Sequence, residues 1–381
     1  MSGGVRDARL AALGFDVPRQ RLAREYKRRR TALSAIRVLA YILISAILLR
    51  GFTFEVKAWA FAFGGGVTQY TLYAIALYFL FWVPVIPVGI AGGFVLERKY
   101  GMSVQGLRSW LADAAKGLGI GLGFSILAVV VLYLFLAATP DLWWLYVWLV
   151  TVAAALVLTW LGPIVLAPLF NRYEPLRDEA LVARLKALAV RSEAKVVGVV
   201  RMLASAKTTR AFGGLAGIGN TRRIVLSDTL LSRYTPEEVE TVIAHELGHH
   251  VHRDVFRLTA AGALASLAGL LAVDRILRAA VPALGLAGIS DIAGLPLVAL
   301  TIAAISTIVG PLLNVLSRRW EASADRFALQ MTGNREAFTS TLVKIHDQNL
   351  GVADPHPLAE FFFHDHPSGS RRVEAALRWR S

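Results

Sequence analysis

The amino-acid sequence predicts a mainly α-helical, polytopic membrane protein of about six to seven spans, with a small α/β unit at its cytoplasmic side. Hydrophobic residues make up 55% of the 381 residues, and the mean hydropathy is +0.53, above the range of ordinary soluble domains. The apolar residues form runs near the ~20 residues that a helix needs to cross ~30 Å of hydrocarbon. One polar stretch, residues 171–253, separates these runs and mixes helical with strand-like patterns.

Residues 1–170 are expected to comprise a basic N-terminal arm and four membrane spans. We expect the arm, residues 1–31, to be helical and to lie near lipid headgroups, and a solvated disordered tail is the alternative. Pro84 and Pro87 predict a kink in the second span. The apolar runs of the four spans lie at residues 31–49, 70–96, 118–138 and 142–170.

Residues 171–253 are expected to form a cytosolic unit with two short strands. The pattern of residues 176–190 predicts an amphipathic helix, and the β-branched residues of 195–202 and 222–227 predict the strands. Glycines between the two strands indicate a flexible loop or a hairpin turn. These glycines are Gly213, Gly214, Gly217 and Gly219.

Residues 254–316 are expected to hold two further spans, at 256–273 and 292–316, and residues 317–381 a cytosolic tail. Six spans place both chain ends on one side, and the segments on that side carry most of the lysines and arginines, as cytoplasmic segments do. A seventh span within residues 276–316 would break this even count. The polar unit is therefore expected to face the cytoplasm, from the inner membrane in a bacterium or from the endoplasmic reticulum in a eukaryote.

Charge and cysteine content exclude several classes of function. The net charge of +14 comes from 41 basic and 27 acidic residues. Because the chain is so apolar, basic residues at membrane edges explain this charge better than a nucleic-acid partner does, and none is expected. The sequence has no cysteine, which excludes a thiol nucleophile, disulfides and cysteine-ligated metals.

The stretch His245-Glu246-x-x-His249 is a motif typical of a catalytic metal site. Residues 235–238, Thr-Pro-Glu-Glu, predict a capped helix start just before it. On a helix, histidines four residues apart can face one metal ion, and Glu246 lies one step round, where it could act as a general base. A pair of hydrogen-bonded, partly buried histidines is the alternative. We expect this helix to continue into the fifth span.

A catalytic zinc ion needs a third protein ligand, and Glu321 is the best candidate because it follows the sixth span at the same membrane edge. Asp325 shares its helical face and could accept the other ring proton of a ligating histidine. An ordinary helix surface paired with neighbouring arginines is the alternative. The expected cofactor is one Zn²⁺ per chain.

Peptide hydrolysis follows from such a centre. Zinc lowers the pKa of a bound water towards ~7, and Glu246 is expected to take its proton and return it to the leaving amine. A donor must then stabilise the oxyanion. His366 and Arg371 of the polar tail are candidates, and a solvated charged loop is the alternative.

Four segments together resemble one family. They are residues 163–176, residues 221–231, the pair His245-Glu246-x-x-His249 with Glu321-x-x-x-Asp325, and His366-Pro367 with Arg371. In these segments the chain resembles the integral-membrane zinc CaaX prenyl proteases (type I CaaX endopeptidases), whose relatives include the HtpX-type membrane proteases. The likeness covers roughly residues 160–375, and the earlier spans agree in character.

The resemblance implies a helical barrel that encloses a large intramembrane chamber, with zinc at one end. It implies zinc on the two histidines and Glu321, Glu246 as base, and His366 and Arg371 near the substrate carbonyl or carboxylate. The small α/β unit is then a zinc-protease unit. These implications agree with the ligand set reached from the residues alone.

The resemblance also assigns substrate binding to Arg210, Ala211 and Phe212. The eukaryotic enzymes carry an Asn-Ala pair, thought to hold the substrate backbone, where this chain has Arg210-Ala211. Main-chain pairing along residues 210–214 can survive that change, because an added strand uses backbone groups.

The expected function is therefore a membrane-embedded zinc metalloendopeptidase of the CaaX-protease type. Its partners are a peptide or protein substrate, with prenylated C-termini among the candidates, and membrane lipid. An HtpX-type quality-control protease is the alternative within the enzymes, and a polytopic transporter or scaffold with a structural metal is the alternative outside them. The predicted spans are nearly free of ionisable residues, unlike those of most transporters.

Overall fold

The computed structural model describes residues 3–217 and 219–380 of the chain. Within these residues, six helices are long and apolar enough to cross a membrane, and this confirms the expected count. They are Val17–Phe61, Val67–Lys99, Leu107–Ala138, Trp143–Phe170, Asp254–Ala280 and Ile292–Thr332.

The first two spans are composed of shorter helices. Gly51, at φ 126°, separates α2 from α3, a backbone angle that residues with a Cβ rarely adopt. A 3₁₀ turn at Val83–Val85 interrupts the second span, as its two prolines predict. The helices up to residue 170 are α1 (Gly3–Ala12), α2 (Val17–Ile47), α3 (Thr53–Phe61), α4 (Val67–Trp82), α5 (Ile86–Ile90), α6 (Leu96–Lys99), α7 (Leu107–Ala138), α8 (Trp143–Leu161) and α9 (Ala167–Phe170).

The N-terminal arm is helical, as predicted, and it packs onto the C-terminal polar part. Leu10 is fully buried in the hydrophobic core of that part. Arg9 pairs with Glu374 at 2.7 Å, and the side-chain amide of Gln20 donates to Asp347 at 2.8 Å. The arm buries an apolar face there, and its expected position near lipid headgroups stays a prediction.

A four-stranded sheet lies in the polar unit, in the order β1-β2-β4-β3. The two predicted strands correspond to β2 and β4, which pair in parallel, while β1 and β3 were not predicted and pair antiparallel. Its strands and adjoining helices are β1 (Tyr173–Pro175), α10 (Glu179–Arg191), β2 (Gly198–Met202), β3 (Gly213–Ala216), β4 (Arg223–Ser227) and α11 (Asp228–Leu231).

Strand β3 corrects the expectation of a flexible loop or hairpin turn at Gly213 and Gly214, whereas Gly217 and Gly219, with φ of 87° and 57°, lie in the turn that joins β3 to β4. A Cβ on Gly213 would lie 3.1 Å from Val242 and 3.2 Å from Leu226, closer than ordinary packing allows. Glycine therefore allows the backbone to pack closely against the sheet and the next helix. Because glycine is uncommon in strands, its presence also hides β3 from prediction by sequence.

The helix that carries the histidine motif, α12 (Pro236–Val251), begins at the predicted capping box. Glu238 N donates to Thr235 Oγ1 at 3.3 Å, and Thr235 N donates to Glu238 Oε2 at 2.9 Å. The expected continuation into the fifth span is wrong: Arg253 adopts a left-handed φ of 56°, and a separate helix, α13 (Asp254–Ala280), begins after it. The break changes the direction of the chain directly after the motif.

The sixth span and the start of the polar tail form one helix, α14 (Leu295–Thr332). It crosses α12 so closely that a Cβ on Gly248 would lie 3.0 Å from Ala324 Cα. This crossing places the end of α12 against the part of α14 that follows the apolar run. The remaining helices of the tail are α15 (Arg335–Asn349), α16 (Pro357–Phe363) and α17 (Gly369–Arg378).

The membrane helices bury little of their surface inside the protein. No residue is buried in the apolar windows of Trp143–Phe170 and Asp254–Ala280, and the largest buried share, 33%, occurs in Ile292–Thr332. Helices in a solid bundle bury one face each. The low burial is consistent with a thin helical wall that has lipid on one side and a chamber on the other.

Gly248→Ala is expected to destabilise the protein by about 1–3 kcal/mol, because the added methyl overlaps Ala324 in a close-packed crossing. This would reverse the usual gain of about 1 kcal/mol for Gly→Ala in a helix. Thermal unfolding in detergent measures the effect. Gly262→Ala in α13 is the matched control, since its Cβ would meet nothing within 4 Å. Equal melting temperatures for the two variants would contradict the close crossing.

Candidate active site

His245 and His249 lie one turn apart on α12 and face the same point. Their Nε2 atoms are 3.3 Å apart, and their rings are nearly perpendicular, at 87°. His245 is buried and its neighbour Glu246 is partly exposed. The helix therefore fixes two imidazole nitrogens in a buried position and leaves a carboxylate beside them within reach of solvent.

Glu321 of α14 completes this group. Its Oε2 lies 3.3 Å from His245 Nε2, and its Oε1 lies 3.3 Å from His249 Nε2. One ligand atom from each of the three residues falls within 4.8 Å of the others. Oε2 is buried without a hydrogen-bond donor in suitable geometry. A buried carboxylate that faces two imidazole nitrogens and has one unsatisfied oxygen is a group that a metal cation would satisfy, so the residues fit a metal site.

The second nitrogen of each imidazole faces a carboxylate. His245 Nδ1 lies 2.9 Å from Asp325 Oδ1. His249 Nδ1 lies 3.0 Å from Asp254 Oδ2. Such outer carboxylates orient ligating histidines and favour the tautomer that leaves Nε2 for the metal. Sequence reasoning found Asp325 and missed Asp254, because a continuous helix would have turned Asp254 away.

Arg372 is a second residue that sequence reasoning missed. Its guanidinium binds Asp325 in a bidentate pair, with Nε at 2.8 Å and Nη2 at 2.6 Å, and its side chain is 11% exposed. Arg371, the predicted residue, is 61% exposed and pairs with Glu360 at 3.2 Å. The two arginines point to different partners because successive helix residues are rotated by about 100°.

The electrostatic field at the histidines favours positive charge. Burial alone would lower the pKa of His245, but the carboxylates of Asp325 and Glu321 outweigh it and raise that pKa to about 9. The pKa of His249 is likewise raised: burial lowers it, and Glu321 and Asp254 overcome that effect. A centre that attracts protons so strongly also attracts a metal cation.

Glu246 lies beside the edge strand of the sheet. A Cβ on Gly214 of β3 would be 3.6 Å from Glu246 Oε2. Among the described residues, β3 pairs with β4 on one side only. The amide of Ser227 donates to the Phe212 carbonyl, so the alternation of an antiparallel ladder points the backbone groups of Gly213 and Leu215 towards the open edge.

The other predicted site residues take different positions. His366 Nε2 lies 3.1 Å from Glu321 Oε1, its Nδ1 lies 2.8 Å from Asp365, and the ring is half exposed. The structure thus brings His366 to the histidine–glutamate group. Arg371 makes its contact with Glu360 instead.

The backbone of residues 210–212 is bound internally. The carbonyl of Arg210 accepts from Thr229 at 2.6 Å, and both backbone groups of Ala211 bind the side-chain amide of Asn349 at 2.8 Å. Phe212 N donates to Ser227 Oγ at 3.0 Å. The free strand edge begins at Gly213, directly after these three residues.

Two family models match the chain. Residues 175–380 match peptidase family M48, and residues 18–172 match the CAAX prenyl protease N-terminal model, described as five membrane helices. The chain belongs to peptidase family M48. In this M48 protein, residues 17–170 contain four of the six candidate spans, the first of which is broken at Gly51.

Curated relatives and one solved structure agree with this assignment. The uncharacterized metalloprotease YhfN of Bacillus subtilis is 32% identical over 74% of this chain and 68% of its own length. The CAAX prenyl protease 1 homolog of Oryza sativa is 29% identical over 76% of this chain and 69% of its own. The crystal structure of S. mikatae Ste24p shows the same fold, with a TM-score of 0.83 at 20% identity, covering 96% of this chain and 90% of that one.

The M48 protein is thus a CAAX-prenyl-protease-like metalloendopeptidase and an integral, multi-pass membrane protein. Its substrates are peptides or proteins, and its chemistry uses a metal. The cluster of His245, His249 and Glu321 fits the site of that metal. The family assignment excludes the alternative of a transporter or scaffold.

Arg372→Met is expected to lower metal affinity by about 10- to 100-fold, because Asp325 would lose the guanidinium that holds it against His245. Arg371→Met is the matched control: it removes the adjacent arginine, which binds Glu360, and should leave metal affinity unchanged. Competition with a chelator of known affinity measures both variants. If both lose affinity equally, Asp325 does not depend on Arg372 in particular.

Proposed function

We propose that this M48 protein is a zinc enzyme in which His245, His249 and Glu321 hold the ion and Glu246 is the general base. The observation that carries the proposal is the convergence of the three ligand atoms beside Glu246, at the open edge of β3. Two histidines and one glutamate are a donor set typical of catalytic zinc. When bound, zinc would supply Lewis-acid activation of a water and of the scissile carbonyl.

The protein's own residues carry the proton transfers. Glu246 is partly exposed between buried neighbours, so its carboxylate can accept a proton in the cleft and return it to the leaving amine. His366 is oriented by Asp365, with Nε2 facing the centre. As an N–H donor there, it would stabilise negative charge on the carbonyl oxygen of the substrate.

An extended substrate would add to the sheet at β3. The outward backbone groups of Gly213 and Leu215 supply main-chain hydrogen bonds, and Gly214 brings the substrate backbone close to Glu246. We therefore place the substrate strand along residues 213–216. Ala211 and Phe212, whose backbones are bound internally, lead into this edge.

The substrate class we propose is a peptide with a prenylated C-terminus. Support comes from the relatives named CAAX prenyl proteases and from the thin-walled arrangement of the spans, which suits an apolar chain entering from the membrane. An HtpX-type quality-control activity on unmodified membrane proteins is the alternative.

Glu246→Gln is expected to lower cleavage at least about 100-fold while zinc stays bound, because the amide cannot accept the proton and Glu246 is not a proposed ligand. The measurement is turnover of a defined farnesylated peptide together with zinc content by elemental analysis. Glu237→Gln, the same change in the first turn of α12, where the half-exposed carboxylate pairs with Arg184 at 2.6 Å, is the control and should keep full activity.

Two results would count against the proposal. Equal activity of Glu246→Gln and wild type would remove Glu246 as base, and a stoichiometric metal other than zinc would remove the cofactor assignment. The same assay with an unmodified peptide of identical sequence separates the substrate classes. Equal turnover of both peptides would favour the quality-control alternative.

We also propose that the active site faces the cytoplasm. Support comes from the concentration of lysine and arginine in the segments on that side of the spans. The short loop between α3 and α4, residues 62–66, carries no charged residue and lies at the other end.

The absence of cysteine from the sequence allows a direct test of this orientation. A membrane-impermeant maleimide added to intact cells is expected to label Ala62→Cys, in the loop after α3, and to leave Val190→Cys unlabelled. Val190 is 75% exposed on α10, so it should be labelled once the membrane is opened. Labelling of Val190→Cys in intact cells would reverse the orientation.

A further inference from the structure

The loop that precedes the proposed substrate strand is attached to the membrane domain. The amide of Val104 donates to the Lys207 carbonyl at 3.1 Å, and the amide of Thr209 donates to the Met102 carbonyl at 3.3 Å. Thr208 Oγ1 adds a hydrogen bond to Met102 at 2.7 Å. The turn between the second and third spans thus lies against the loop that leads from β2 to β3.

Arg210, near the end of this loop, extends its side chain to two helices of the membrane domain. Its Nη2 lies 2.7 Å from Glu97 Oε2 and 2.9 Å from the hydroxyl of Tyr26. Tyr26 donates to Glu97 Oε1 at 2.5 Å, and both residues are buried, with 4% and 8% of their surface exposed. Because Tyr26 belongs to α2 and Glu97 to α6, one guanidinium joins the loop to two helices of the membrane domain.

The backbone of Arg210 leads directly to the reacting groups. Ala211 follows it, is 1% exposed and is held at both backbone groups by Asn349. Gly214, beside Glu246, comes only four residues after Arg210. Four residues of extended chain span at most about 14 Å. This short segment can absorb little of a displacement of Arg210, so the displacement reaches β3.

We propose that Arg210 is a positioning residue for cleavage: through Glu97 and Tyr26 it fixes β3 relative to Glu246 and the metal ligands. Its guanidinium contacts neither the metal ligands nor Glu246. It forms a salt bridge with Glu97, a carboxylate of the membrane domain. This positioning role replaces the direct substrate contact that the family resemblance implies for Arg210. This inference rests on the proposed function, in which the substrate pairs with β3.

A positioning role predicts a split between the kinetic constants. In Arg210→Met and in Glu97→Gln, the substrate still pairs with β3 but lies misaligned with Glu246. We expect kcat to fall about 10- to 100-fold while KM changes less than about threefold. Arg210→Lys keeps the charge and should recover part of kcat. The double variant should be no slower than the slower single variant, because both changes break one contact.

Arg201→Met is the matched control for these variants. Arg201 pairs with Glu174 at 2.7 Å on β1 and β2, at the far side of the same sheet, and both side chains are well exposed. Its replacement should leave kcat and KM unchanged. Hydrogen exchange adds a readout without catalysis: amides 211–216 should exchange faster in Arg210→Met and Glu97→Gln, with α12 unchanged.

Wild-type kcat and unchanged exchange in both Arg210→Met and Glu97→Gln would overturn the inference. So would equal losses in Arg210→Met and Arg201→Met. If Arg210→Met does not fold, the isosteric Glu97→Gln carries the test alone. Wild-type activity of the Glu246→Gln variant would instead refute the proposed function. The hydrogen exchange of amides 211–216 would then still test whether Arg210 holds β3 in place.

Discussion

The crossing of α12 and α14 at Gly248 and Ala324 is the contact on which the metal centre depends. It brings the buried face of α12, a helix of the polar unit, to within van der Waals distance of a helix that continues from a membrane span. His245 and Glu321 belong to these two different helices, so the ligand set forms only where they meet. Since Glu321 follows an apolar run without a break, this crossing also fixes the centre at the membrane edge.

Charge balance explains why a cation belongs at this crossing. Glu321, Asp325 and Asp254 are all buried around the two histidines; the buried Arg372 pairs with Asp325, and the half-exposed Arg257 lies 3.3 Å from Asp254. Buried carboxylates without compensating charge are costly, and the histidines compensate only when they are protonated. The raised pKa values of His245 and His249 reflect this need for positive charge. A divalent ion meets the same demand and leaves both imidazoles neutral, which is the state in which they act as ligands.

Local signals allowed the sequence to predict the motif helix with its cap, the six spans and two of the strands. The capping box and the spacing of His245 and His249 depend only on residues within a few positions of each other. Asp254 was missed because its position depends on the left-handed Arg253, where no glycine or proline signals a break. Arg372 was missed because the choice between two adjacent arginines is made by the rotation of α17 against α14, which only the tertiary packing determines.

The remaining failures share one physical cause, which is that distant segments decide the local structure. Strand β3 begins with two glycines of low strand propensity and forms because α12 and β4 pack against it. The charge of the N-terminal arm does not reveal that Gln20 binds Asp347 and the amide of Ala353, more than 300 residues away. Such contacts leave no periodic trace in the sequence.

These long-range contacts also connect the polar parts of the chain into one packed body. The arm, the loop before β3 and the tail after α14 all contribute to it, and α14 runs unbroken from membrane to active site. A division of the chain at residues 170, 253 and 316 therefore does not give four separate cores: residues 171–253 and 317–381 share one hydrophobic core, and most of the membrane helices share another. Because Arg210 joins the loop before β3 to Tyr26 and Glu97, the membrane helices also contact the body that holds the metal ligands.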